Sequence, residues 1–108
     1  MSFEIVTSAA FDREAKRLRG KYPSLLSDLR DLARVLIEHP RSGDPLGMGC
    51  YKVRMAISSK SRGKSGGARV ITTIQVTRER IVLLAIYDKS ERSSITKREL
   101  RIILDTLS

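Results

Sequence analysis

The sequence predicts an α+β fold: a curved antiparallel sheet, a helical hairpin packed on one of its faces with the other face free, and a C-terminal helix. Three observations carry that expectation. Apolar residues recur at helical spacing in two adjacent stretches between Ser8 and His39, and at period two over residues 51–57 and 68–76. A capping box at 96–99 then opens a last helix. Helices and strands are grouped rather than strictly alternating, which separates this pattern from a doubly wound parallel sheet. At 108 residues the chain is long enough for one core and one domain, spanning 1–108.

The elements follow in order. Residues 3–6 are a short β-branched and aromatic run, read as a strand. Ser8 is a natural N-cap, since its hydroxyl can accept from the free amides of a first turn, and Phe11, Ala15 and Leu18 then fall on one stripe until Gly20. Pro23, at a first helical position, restarts a helix whose stripe is Leu25, Leu29, Leu32 and Leu36. The dipeptide His39-Pro40 closes it, because proline disfavours α geometry in the residue before it. Residues 41–49 hold three glycines and a proline and read as a loop of turns. In 51–57 the odd positions are apolar, so Lys52 and Arg54 share the opposite face, about 7 Å apart along the strand. Residues 58–67 contain no apolar side chain and read as an exposed loop. A strand resumes at Ala68, with Arg69 on the face opposite Val70. Residues 81–87 form a nearly unbroken apolar run, as in a central strand covered on both faces. In the final helix Thr96 and Glu99 form the capping box, Ile95 and Leu100 the hydrophobic staple, and Leu100, Ile103, Leu104 and Leu107 the apolar stripe.

Charge is unevenly placed. Residues 41–69 carry seven Lys or Arg against one acid, Asp44, a local net of +6; the rest of the chain, with fourteen bases and eleven acids, supplies only +3 of the total +9. That concentration points to a polyanionic partner, nucleic acid before a lipid surface. No apolar run is long enough for a membrane span, and the first residues carry no basic and apolar leader pattern, so a cytoplasmic protein is expected. One cysteine excludes an internal disulfide, and with one histidine there is no metal-ligand cluster and no cofactor is expected. Cys50 reads as a small buried apolar residue.

The chemistry such a face can perform is phosphodiester cleavage in RNA. The 2′-hydroxyl is the nucleophile, and the phosphorane gathers negative charge that rigidly aimed Lys and Arg can stabilise. A base is needed for the hydroxyl and an acid for the leaving 5′-oxygen. His39 is the single histidine and reads as a helix end. A lysine crowded by other cations can act as the base, because like charges disfavour its protonated form, and both Lys52 and Lys89 are candidates. Asp88 and Glu91 read as groups that orient cations or face solvent. The Gly63-Lys64-Ser65 run is not a phosphate-binding P-loop: the required earlier glycine is Ser58, and a strand follows in place of a helix.

Three stretches in sequence, GDPLGMG at 43–49 before YKVRMA at 51–56, GKSGGARVI at 63–71, and LAIYDKSE at 84–91, resemble the RelE/ParE superfamily of bacterial type II toxins, within it the HigB-like group. The resemblance covers essentially the whole chain. It implies a microbial-ribonuclease-like fold and a ribosome-dependent endoribonuclease, an mRNA interferase, that cuts translated message in the A site. It also implies neutralisation by a cognate antitoxin. Carried over by position, Lys52 and Arg54 match the family's paired strand cations, Arg69 its phosphate-stabilising arginine, and Lys89 the lysine of the HigB-like last motif. The sequence departs from the RelE pattern at Ser90, where a catalytic arginine is expected, and at Thr96, where a tyrosine is expected. Lys89 and Arg92 stand near the first gap. Tyr87 is a final-strand residue that can point elsewhere.

Each cation has a plainer reading beside this one. Lys52 and Arg54 can be a solvated edge that discourages aggregation. Lys60, Arg62 and Lys64, with Arg92, are expected to hold ribosomal RNA or message backbone without taking part in chemistry. Two other functional classes fit the same scaffold: a ParE-like inhibitor of DNA gyrase, and a non-toxic RNA-binding domain. The scarcity of aromatic residues, two Phe, three Tyr and no Trp, leaves backbone charge and shape as the main means of recognition.

Overall fold

A computed structural model describes residues 3–61 and 63–107. The element order is β1 (Glu4–Thr7), α1 (Ala9–Lys21), α2 (Leu25–Glu38), β2 (Asp44–Gly47), β3 (Cys50–Met55), β4 (Ala68–Gln75), β5 (Arg80–Asp88) and α3 (Lys97–Asp105). The five strands form one sheet in the order β1-β5-β4-β3-β2. Pairing is antiparallel except at the first strand, where β1 lies parallel to β5 with Ile5 opposite Ile81. The sheet is therefore mixed rather than wholly antiparallel. The chain leaves β1 into the α1–α2 hairpin and returns to β5 only after three strands, so strand direction is fixed by a long crossover rather than by a turn. No helix among the described residues is long and apolar enough to cross a membrane.

The helical hairpin covers one face. Phe11, Leu18, Leu25, Leu32 and Leu36 pack onto Val53, Met55, Val70, Ile81, Leu83 and Ile86. Leu18, Leu25 and Leu36 are fully buried, and truncating any one to alanine costs about 2–5 kcal/mol. Ser8 caps α1 as expected, its hydroxyl accepting from Phe11 N, and the same hydroxyl donates to Leu84 O. The helix runs through Gly20 to Lys21, and Tyr22 ends it. Leu25 opens α2, with Ser24 as N-cap and Pro23 in the turn before it, so the proline lies two residues ahead of the helix instead of at its first position.

The opposite face is not free. Leu100 of α3, with Ile95, Ile103, Leu104 and Leu107, packs on Cys50, Ile71, Val82, Leu84 and Ala85. The capping box is present with both of its hydrogen bonds, which fixes where α3 begins. The connector at 41–49 also holds a strand. Asp44 pairs with Lys52 and Pro45 with Tyr51, at the sheet edge where a proline removes no ladder bond. Gly43 permits this approach: its φ is +98°, and a Cβ there would lie 2.4 Å from Lys52 O.

One irregularity decides what the sheet displays. Between β4 and β5 the register skips a residue, Ile71 opposing Ala85 and Thr72 opposing Leu83. Leu84 and Ala85 consequently both lie on the α3 face, and alternation beyond them is inverted. Ile81, Leu83 and Ile86 face the hairpin while Tyr87 joins the α3 side.

Candidate active site

On the α3 side of the sheet, three residues stand side by side on adjacent strands. Arg54 pairs with Arg69 across β3 and β4, and Arg69 pairs with Tyr87 across β4 and β5. Directly opposed residues have Cα atoms about 4.5–5.5 Å apart, so this row spans about 10 Å, the reach of one phosphodiester and its neighbours. Lys52 lies one alternation back along β3, opposite Ile71 and on the same face. Arg54 is exposed, Lys52 half-buried and Arg69 buried at 5% exposure. Arg69 is held rigidly: its Nη1 donates to Lys64 O at 2.8 Å and to Ala68 O at 3.1 Å. Among the described residues Arg69 is hydrogen-bonded to backbone carbonyls and to no carboxylate, which leaves it a fixed positive charge on the α3 side of the sheet.

The strand ends frame this row. Gly67 lies where a Cβ would meet Met55 O at 2.1 Å, so only glycine lets β4 start so close to β3, and its carbonyl accepts from Lys89 N at 3.0 Å. Lys89 is exposed beyond the end of β5, its Nζ 3.5 Å from Ser93 O. Arg92 reaches back over the sheet, its guanidinium 5.5 Å from the Tyr87 ring centroid. It is steadied by Glu99 at 2.8 and 3.0 Å and by Ser94 O at 2.9 Å. Burial pushes the Tyr87 phenol above its ordinary pKa, and the charges of Arg69 and Arg92 act against that.

On the hairpin side of the same strand end lies a second ionic cluster. Asp88 is fully buried and accepts from the Tyr22 hydroxyl, from Lys60 Nζ at 2.9 Å, and from Ser90 through both hydroxyl (2.7 Å) and backbone N–H (2.9 Å). Burial pushes its pKa up, yet these donors together outweigh burial and hold the carboxylate far below its usual range. Lys60 also lies over the Tyr22 ring at 5.2 Å. The Asp28 carboxylate accepts from Ser58 N and Ser58 Oγ, and so pins the start of the basic loop to α2. Glu91 is bound by Arg17 and Lys21 of α1, and those hydrogen bonds depress its pKa.

The positions of the sequence-derived candidates are thus unequal. Lys52, Arg54 and Arg69 share one face, and Lys89 stands at its end. Lys64 is exposed in the loop. Lys60 does not project into solvent as a contact for RNA: its ammonium is committed to Asp88, with a side chain only 10% exposed. Arg92 is tied to Glu99 and covers Tyr87. Arg62 lies outside the described residues. Tyr87, read from the sequence only as a final-strand residue that can point elsewhere, lies on this face because the bulge at Leu84 and Ala85 inverts the alternation that starts at Ile81. A groove of about 800 Å3 lies at the outer edge of β3 against α2, where Asp28, Asp31 and Asp44 accompany Lys52, Arg54 and Lys64. Its three acids offset its three cations, whereas Arg54 and Arg69 in the row stand side by side.

No curated protein sequence matches the chain. Among solved structures it is similar to the E. coli toxin RelE in the free state, a double arginine-to-alanine mutant, at 14% identity and a TM-score of 0.65, with all of both chains covered. A crystal structure of the isolated E. coli RelE toxin gives 14% identity and a TM-score of 0.62, with 99% of this chain and 100% of that one covered. At that identity the likeness is one of fold. The family model described as the RelE toxin of the RelE/RelB toxin–antitoxin system matches residues 4–106, nearly the whole length, and the chain belongs to this family of type II toxins.

Proposed function

We propose that the protein is an endoribonuclease that cuts messenger RNA on the ribosome by attack of a 2′-hydroxyl on its own phosphodiester, in the cytoplasm, and that an antitoxin partner restrains it. The observation that carries this reading is the cross-strand row of Arg54, Arg69 and Tyr87 with Lys52 on the same face. Arg69, immobile and buried, stabilises the charge that grows on the non-bridging oxygens; Arg54, exposed beside it, orients the incoming phosphate. Lys52, on the same face, is the group that takes the 2′-hydroxyl proton. Lys89, at the end of the same face, holds the neighbouring backbone phosphate. Lys64 and the exposed loop carry affinity for RNA rather than chemistry. An inhibitor of gyrase has no need of a buried arginine set beside Arg54 and Lys52 on one sheet face.

The test is a cell-free bacterial translation reaction with a defined message, the new 5′ ends being mapped with and without ribosomes. Cuts within the reading frame that need ribosomes and vanish with Arg69→Ala are expected. Intact message, with gyrase supercoiling inhibited instead, overturns the reading.

A further inference from the structure

We propose that Tyr87 is a catalytic residue of this chain, donating the proton that the leaving 5′-oxygen requires. The inference rests on the ribonuclease reading above and adds the acid that reading lacks.

Tyr87 is 3% exposed, and its hydroxyl has no hydrogen-bond partner among the described residues. An unsatisfied buried hydroxyl costs about 1–3 kcal/mol, and phenylalanine would fill the same space without that cost. A tyrosine so placed offers its O–H to something outside the folded chain. The ring stands next to Arg69 in the row, and the guanidinium of Arg92, from an exposed loop, lies over it with 5.5 Å to the ring centroid. An incoming phosphate competes with Glu99 for that guanidinium and draws it off the ring, which opens the hydroxyl at the place where Arg69 awaits the phosphorane. Arginine does not release a proton near neutral pH, so neither Arg54, Arg69 nor Arg92 can serve as the acid. Burial keeps Tyr87 a phenol, and a phenol is a donor.

The step balances. The bond from the 2′-oxygen to phosphorus forms as the bond from phosphorus to the 5′-oxygen breaks. The 2′-hydroxyl proton passes to Lys52 as base, and the Tyr87 proton passes to the 5′-oxygen. The products are a 2′,3′-cyclic phosphate and a free 5′-hydroxyl. The phenolate left behind lies between Arg69 and Arg92 and recovers its proton from water.

Replacing the bridging 5′-oxygen by sulfur separates this role from others, because a thiolate departs without a proton. Messages with oxygen or sulfur at the mapped cut would be loaded on ribosomes and cleaved by wild-type protein and by Tyr87→Phe, with thermal melting of both proteins alongside. Tyr87→Phe should melt no lower than wild type, since it removes only an unpartnered hydroxyl. It should cut the oxygen message about 100-fold more slowly, in the range for loss of a general acid, and the sulfur message within about threefold of wild type. Equal cleavage of the oxygen message by both proteins overturns the proposal and leaves the ribonuclease reading standing. An equal deficit on both messages overturns it too, making Tyr87 a positioning residue. Failure of the wild-type protein on both messages removes the ribonuclease reading, and this proposal with it; failure on the sulfur message alone overturns only the proposal.

Discussion

Lys60 and Arg69 come from the same basic run, nine residues apart, and both are largely withdrawn from solvent. Lys60 points to the hairpin side, where the buried Asp88 carboxylate meets its ammonium and Tyr22 covers it. Arg69 points to the α3 side, where it meets backbone carbonyls and the neighbouring cation Arg54. One charge is neutralised within the fold and the other is left for a ligand. The difference lies in what the strand brings opposite each: a buried charge paired with a carboxylate stabilises structure, and one without a counter-charge is an anion site in waiting.

The widest gap between the two should appear in cleavage. Arg69→Ala is expected to lower the rate of message cutting by about 10²–10³-fold, the scale for removing one aimed donor from a transition state, while leaving a folded protein. Measured beside it, Lys60→Met should keep a cleavage rate within about tenfold of wild type once corrected for the folded fraction. Equal losses in the two variants would erase the distinction between them.

Stability should show the reverse. Lys60→Met leaves Asp88 buried and short of its partner, which costs about 3–5 kcal/mol in urea unfolding at neutral pH. Pairing it with Asp88→Asn should cost much less than the sum of the single changes, because the double variant leaves no unpaired charge. Acid sharpens the point. The Asp88 pKa is depressed in the folded state, so below about pH 4 the unfolded chain takes up a proton that the folded chain refuses, and the stability present at neutral pH drains away as pH falls further. Asp88→Asn should flatten that acid limb; an unchanged limb would mean the carboxylate does not hold the loop.

How much of this was legible follows from the range of each signal. The central strand, the alternation that puts Lys52 and Arg54 together, and the Thr96–Glu99 capping box are written in neighbouring residues and appear in the fold as the sequence reads. The parallel pairing of β1 with β5 joins Ile5 to Ile81 with no local trace. Strand β2 was hidden by Gly43 and Pro45, which signal turns unless an edge is known to be waiting for them. Asp88 read as an acid that orients a cation or faces solvent; it binds Lys60, a partner that, like Tyr22, nothing nearby in sequence announces. The face of Tyr87 stayed open in the sequence, because one residue of bulge decides it and in a period-two structure one residue reverses the face.

That bulge makes Ser8 a sensitive distant handle on the row. Its hydroxyl accepts from Phe11 N at the start of α1 and donates to Leu84 O at 2.7 Å, so one side chain satisfies both a helix end and the irregular strand. Ser8→Ala should cost about 1–2 kcal/mol, more than an exposed cap. Cleavage should fall with it, since Tyr87 lies three residues beyond the loosened carbonyl. Loss of stability with no loss of rate would show that the bulge holds without help.

The smallest effect belongs to Lys64. It is exposed, and its side chain stands in a loop fixed at both sides, by Asp28 to Ser58 and by Arg69 to the Lys64 carbonyl. Those anchors involve the backbone of Lys64 and not its ammonium, so Lys64→Glu should leave the melting temperature within experimental scatter. If the loop meets RNA backbone, the lost contact weakens ribosome co-sedimentation several-fold and flattens its dependence on salt by about one charge. Wild-type salt dependence in Lys64→Glu would confine RNA binding to the row itself, because the fold would then present its phosphate contacts on the sheet and none from the loop.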